Sequence, residues 1–108
     1  MRSLARAAIA AGGVLLPAAC AARETPSYSD GSPASRIAAI ERSAAEGRRQ
    51  DLPRIVENLS SDDAAVRMAA IGALRRMTGE TLGYRFDDPS PDRQQAIARW
   101  ADWVRAHP

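Results

Sequence analysis

An all-α fold follows from three observations on the 108-residue sequence. Beyond position 32 the apolar residues recur at helical spacing, the patterned runs begin at Ser or Asp and stop at Gly, and no strand signal appears. A five-residue pattern also recurs at a fixed displacement, which predicts a short α-α superhelix of about four helices. The chain divides accordingly into an export segment over 1–19, a flexible tether over 20–32 and a helical domain over 33–108.

Residues 1–19 have the three parts of an export signal: a basic start with Arg2 and Arg6, an apolar stretch over 7–16, and small residues before Cys20. The apolar stretch is shorter than the roughly 20 residues a membrane span needs. Removing nineteen of 108 residues leaves 89. Arg2 and Arg6 leave with them, so the 15 basic residues fall to 13, equal to the 13 acids. This balance removes the electrostatic argument for nucleic-acid binding, which needs a basic surplus. Every basic residue is Arg, a bias of composition to which no function attaches.

The run Leu15-Leu16-Pro17-Ala18-Ala19-Cys20 resembles the lipobox of bacterial lipoproteins, with Pro17 where that family has Leu. The resemblance implies that Cys20 is acylated, palmitate included, and becomes the mature N-terminus. A lone Cys in an exported chain has no disulfide partner, which agrees. Ordinary secretion with cleavage after Ala21 is the alternative. Acyl chains on Cys20 would anchor the chain stably to membrane lipid. Ala21, where Asp is absent, favours by resemblance the outer membrane and a periplasm-facing domain. Residues 21–31 are polar, hold Pro26 and Gly31 and lack helical period, as a tether would.

The first helix is expected over about 33–46, capped by Ser32, with Pro33 in its first turn and Gly47 as its stop. The second starts at Asp51 as cap and carries Leu52, Ile55, Val56 and Leu59 on one face. The third runs from cap Asp63 to Met77. Val66, Ala69, Ala70, Ala73, Leu74 and Met77 form one stripe, and Met68 and Ile71 a second side, so packing on two sides is expected. The fourth opens at Ser90-Pro91-Asp92, with Ser90 as cap, and runs to about 106 with Ile97, Trp100, Ala101 and Val104 facing inward. The loop between the last two is expected to tuck Leu82, Tyr84 and Phe86 under the final helix.

Arg36-Ile37-Ala38-Ala39-Ile40 recurs 31 residues later as Arg67-Met68-Ala69-Ala70-Ile71, each just after a capped helix start. On this repeat, and on Leu52-Pro53-Arg54-Ile55-Val56-Glu57-Asn58-Leu59 with the turn Ser60-Ser61-Asp62-Asp63, Val66-Arg67 and Ala73-Leu74, the segment 52–77 resembles a HEAT repeat. The resemblance implies a short helix paired antiparallel with a longer one, and an Arg that hydrogen-bonds between repeats. Ser61 stands where many members carry an aspartate; Asp30 holds that place in the earlier copy. The family's helical surfaces act as scaffolds, so the expected function is a protein-protein interaction module at the envelope. A structural homo-oligomer is one alternative. A pigment-lyase-type enzyme or its accessory subunit is another, although four helices leave little room for a ligand pocket of about 300 Å³.

Chemistry is expected to be sparse. The one His, His107, is penultimate, so no nucleophile has a base. One His and one Cys make no zinc site. The cluster Asp87-Asp88-Pro89-Ser90-Pro91-Asp92 lacks the Gly and the terminal acid of a calcium loop. No catalytic residue, metal ligand or cofactor is therefore assigned. The candidate contacts are Arg48 and Arg49, which can meet anionic headgroups, and Trp103, which lies about 120° around the helix from Ile97 and either covers the 82–86 loop or awaits a partner.

Overall fold

The computed structural model describes residues 25–29 and 31–108, and within them the chain is all-α. Four helices follow in order: α1 (Pro33–Glu46), α2 (Leu52–Glu57), α3 (Ala64–Thr78) and α4 (Ser90–Ala106). Short 3₁₀ turns, Arg49–Asp51 and Asn58–Ser60, bracket α2. The core forms around Ile40, Ile55, Leu59, Val66, Leu74 and Trp100, all buried. α1 lies against α3, α2 pairs with both α3 and α4, and the 79–89 loop fills the remaining side. Residues 1–24 and Asp30 fall outside the described part, and so do Cys20 and the export segment expected over 1–19.

Local chemistry explains the helix ends. Ser32 Oγ accepts from Ser35 N at 3.4 Å, and α1 stops at Gly47, whose φ of 62° suits a residue without a side chain. Asp63 caps α3 more closely: one carboxylate oxygen accepts from Ala65 N at 2.8 Å and Val66 N at 3.1 Å. Gly79, at φ 81°, ends that helix.

Two expected caps are absent. Asp51 has helical backbone angles and makes no capping bond. The 3₁₀ turn before α2 supplies carbonyls for the first donors, including Arg48 O for Asp51 N at 3.0 Å, which frees the Asp51 carboxylate for another partner. Ser90 lies inside α4, and Pro89 occupies the cap position without a side-chain bond. Pro89 fixes an extended entry and Pro91 removes a donor, so fewer N–H groups need capping there.

The inward stripes also shift. On α4 the fully buried residues are Ala96 and Trp100, while Ile97, Ala101 and Val104 are half-buried, one position from the expected centre. On α3 the second apolar side is only partly covered: Ile71 is half-buried and Met68 is 53% exposed. No described element packs beyond Met68, so the expectation of packing on both sides fails there.

The 79–89 loop does tuck inward. Thr81–Tyr84 form a tight turn with Tyr84 N donating to Thr81 O at 3.0 Å, and both central residues are left-handed, Leu82 at φ 53° and Gly83 at φ 79°. Arg99 from α4 holds the turn by donating to Leu82 O at 2.8 Å, and its guanidinium passes so near Gly83 that a Cβ would lie 2.9 Å from it. Trp100 Nε1 donates to Thr81 O at 2.9 Å. Tyr84, buried, donates its hydroxyl to Leu59 O at 2.7 Å. The Tyr84 hydroxyl pKa is raised, chiefly by burial, which disfavours the phenolate.

Candidate functional site

Residues 25–29, read from sequence as part of a flexible tether, lie along α1. Ser27 N donates to Ser35 O at 3.1 Å. The Tyr28 hydroxyl reaches Ser43 Oγ at 2.7 Å, with Ala39 O at 3.2 Å beside it, and Ser43 donates in turn to Asp51 Oδ2 at 2.7 Å. This chain ties the N-terminal segment, α1 and the turn before α2 together. Ser35 and Ser43 are both 2% exposed, so their hydroxyls belong to the interior. Burial and the nearby Asp51 carboxylate raise the Tyr28 pKa, opposed by the bond to Ser43 and by Arg54 and Arg48.

An open, polar cavity of about 390 Å³ lies over this chain, with Tyr28, Ser43 and Asp51 in its walls and Arg42, Arg48 and Arg54 at its edge. The Arg54 guanidinium stands over the Tyr28 ring, 5.9 Å from its centroid, in cation-π geometry. Glu46 serves two cations, pairing with Arg42 at 3.2 Å and Arg48 at 3.6 Å. Arg49 does not join them. It lies beside a separate hollow formed with Leu52, Pro53, Val104 and His107. The two adjacent arginines singled out from sequence thus serve different surfaces.

A second region is apolar. Met68 stands between two shallow hollows, one of about 450 Å³ between α1 and α3 and one of about 370 Å³ between α3 and the 79–89 loop; Ile37, Ala69 and Gly72 line the first, Ile71, Gly72 and Phe86 the second. Charged pairs border it, Arg76–Glu41 at 2.9 Å on one side and Arg85–Asp87 at 3.6 Å on the other. Both hollows are open to solvent rather than enclosed.

Trp103 meets neither region. Its ring is edge-on to Trp100 at 5.7 Å and stacked on His107 at 3.9 Å, and His107 Nδ1 lies 2.7 Å from Trp103 O. With Ala96 and Trp100 as the buried pair, Trp103 lies only about 40° from the centre of the stripe. The indole hydrogen-bonded to the loop belongs to Trp100. His107 closes over the end of α4.

Sequence reasoning missed Tyr28, Ser35, Ser43, Asp51 and Arg54 as a group. The signal was present: 35, 39 and 43 lie on one face of α1, and that inward face reads Ser-Ala-Ser where an ordinary core helix carries larger apolar residues. Among the described residues no three His, Cys, Asp or Glu side chains gather as a metal site, and no helix is long and apolar enough to cross a membrane. Comparison with family models, curated proteins and solved structures finds no match to this chain, so its functional reading rests on the residues and their geometry.

Proposed function

We propose that the chain is an exported lipoprotein, acylated at Cys20, whose HEAT-like helical domain binds another envelope protein rather than catalysing a reaction. The observation that carries the binding half is the Met68 face. A large, flexible apolar side chain stands 53% exposed between two open, largely apolar hollows, with charged pairs around it. An apolar centre within a polar rim is the anatomy of protein interfaces, and methionine adapts to varied partners. The chemistry favours a partner segment that presents apolar side chains along a ridge, to enter the hollows on either side of Met68.

The anchor rests on the lipobox-like sequence before Cys20 and on the position of that residue ahead of the folded part. An outer-membrane, periplasm-facing location follows from the same resemblance. Replacing Cys20 with Ala should abolish labelling by palmitate and flotation with membranes; a fully labelled variant would contradict acylation at this residue.

A photoreactive residue at position 68, in the native host, should form one defined crosslinked product, while the same residue at exposed Gln94 on α4 should not. A charged residue at a neighbouring hollow, as in Gly72→Asp, should suppress that product at unchanged melting temperature. Equal products from both positions would remove the face as an interface. A crosslinked product containing only this chain would replace the foreign partner with a second copy.

A further inference from the structure

We propose that the Tyr28 cavity binds a phosphodiester monoanion whose substituent carries hydrogen-bond donors, as the headgroup of an amino- or glycerol-bearing phospholipid does. Around the cavity three guanidiniums, of Arg42, Arg48 and Arg54, face two carboxylates, of Glu46 and Asp51. Among the described residues one positive charge is left uncompensated, and a phosphodiester carries one negative charge. Glu46 is divided between Arg42 and Arg48, so neither fork is saturated, and no carboxylate among the described residues pairs with Arg54. A planar guanidinium presents paired N–H groups that match two phosphate oxygens, which favours phosphate over a spherical anion.

Asp51 sets the rest of the ligand. Its carboxylate receives the Ser43 hydroxyl at 2.7 Å and retains further acceptor capacity toward the cavity. An ammonium or hydroxyl beside the phosphate would satisfy that acceptor. A dianionic inorganic phosphate would face it with a second negative charge and only one O–H to donate. The place in the chain agrees with a membrane source. Tyr28 is eight residues beyond Cys20, a span of at most about 28 Å. The bilayer as source rests on the acylation of Cys20 proposed above; the phosphodiester chemistry does not.

The test uses the full chain carrying Cys20→Ala, with no acyl anchor, followed by NMR. The probes are glycerophosphoethanolamine, glycerophosphoglycerol and inorganic phosphate, then vesicles of phosphatidylethanolamine with phosphatidylglycerol against vesicles of phosphatidylcholine. The phosphodiesters should shift the Ser29 and Arg48 amides and the Arg54 Nε–H saturably, more tightly than inorganic phosphate does. The double variant Arg48→Gln/Arg54→Gln should weaken this at least tenfold without lowering the melting temperature, because all three arginines at the cavity edge are exposed. Binding of vesicles and soluble phosphodiesters, both lost in the double variant, assigns the bilayer as source. Binding of the soluble compounds alone assigns a free phosphodiester and also supports the site. Absence of saturable shifts with every probe overturns the proposal. So does binding that survives the double variant within twofold, since the variant keeps the apolar segment 7–16. Gly72→Asp should leave these titrations unchanged, and the arginine double variant should leave crosslinking at position 68 unchanged, so the two readings fail separately.

Discussion

α1 and α3 carry the same sequence pattern 31 residues apart, yet their inward faces are built from different materials. Positions 66, 70 and 74 are Val, Ala and Leu; the matching positions 35, 39 and 43 are Ser, Ala and Ser, and all six are buried. α3 meets α2 and spends its stripe on apolar packing. At the first copy residues 25–29 lie directly on the small residues, where a hydroxyl does the work a leucine does later. The matching arginines differ too. Arg67 donates from Nη1 to Ser61 O at 2.9 Å and Asp62 O at 3.1 Å, and from Nε to Phe86 O at 3.0 Å, joining the turn before α3 to the loop after it. Arg36 donates from Nη2 to Gly31 O at 3.1 Å, the carbonyl that matches Asp62, while its Nε is buried with no partner among the described residues. A repeat therefore fixes where the helices go and leaves each copy free to hold a different neighbour.

The largest effect expected is at the matched pair 74 and 43. Leu74→Ala should cost about 2–5 kcal/mol in urea unfolding, through lost burial and a cavity. Ser43→Ala removes one hydroxyl and should cost about 1 kcal/mol. Equal losses would mean that the two stripes do the same job.

The arginines come next. Arg67→Met should cost about 2–3 kcal/mol, because a charged group then abandons three backbone carbonyls. Arg36→Met should be nearly neutral, since it sacrifices one exposed bond and relieves a buried, unpaired Nε. A larger loss at 36 than at 67 would invert the comparison. Among the caps, Asp63→Ala should cost about 1–2 kcal/mol and Ser32→Ala about 0.5 kcal/mol, in keeping with capping distances of 2.8 and 3.1 Å at Asp63 against 3.4 Å at Ser32. Melting temperatures of the two variants check the order.

The smallest effect concerns pH. Both Tyr28 and Tyr84 have hydroxyl pKa values raised in the folded chain, so folding favours the protonated phenol. The stability they contribute is complete below the ordinary tyrosine value of about 10 and is lost as pH climbs through the higher folded values. Tyr28→Phe and Tyr84→Phe should each flatten the alkaline fall of the melting temperature. A fall unchanged in both variants would remove the assignment.

What could be read from the sequence follows the range of the interactions involved. The spans of α1 and α3, the caps Ser32 and Asp63 and the stops Gly47 and Gly79 depend on residues within a few positions of one another. The mistaken caps show where locality ends: Asp51 and Ser90 are good cap residues, but a 3₁₀ turn and a pair of prolines satisfied those ends first. The Tyr28–Ser43–Asp51 chain spans 15 and then eight positions, and nothing local marks it except a serine pair on an inward face. Met68 was legible as apolar but not as exposed, because exposure depends on whether another element arrives.

The central claim is that the small-residue stripe of α1 exists to seat the segment around Tyr28. It is tested most directly by NMR of the full chain, through cross-relaxation between the Tyr28 ring and the Ala39 methyl and Ser43 methylene protons. The account predicts strong contacts at both sites, with the Ser27 amide protected from exchange by its bond to Ser35 O. Random-coil shifts at Tyr28, with no contact to Ala39 or Ser43, would contradict it.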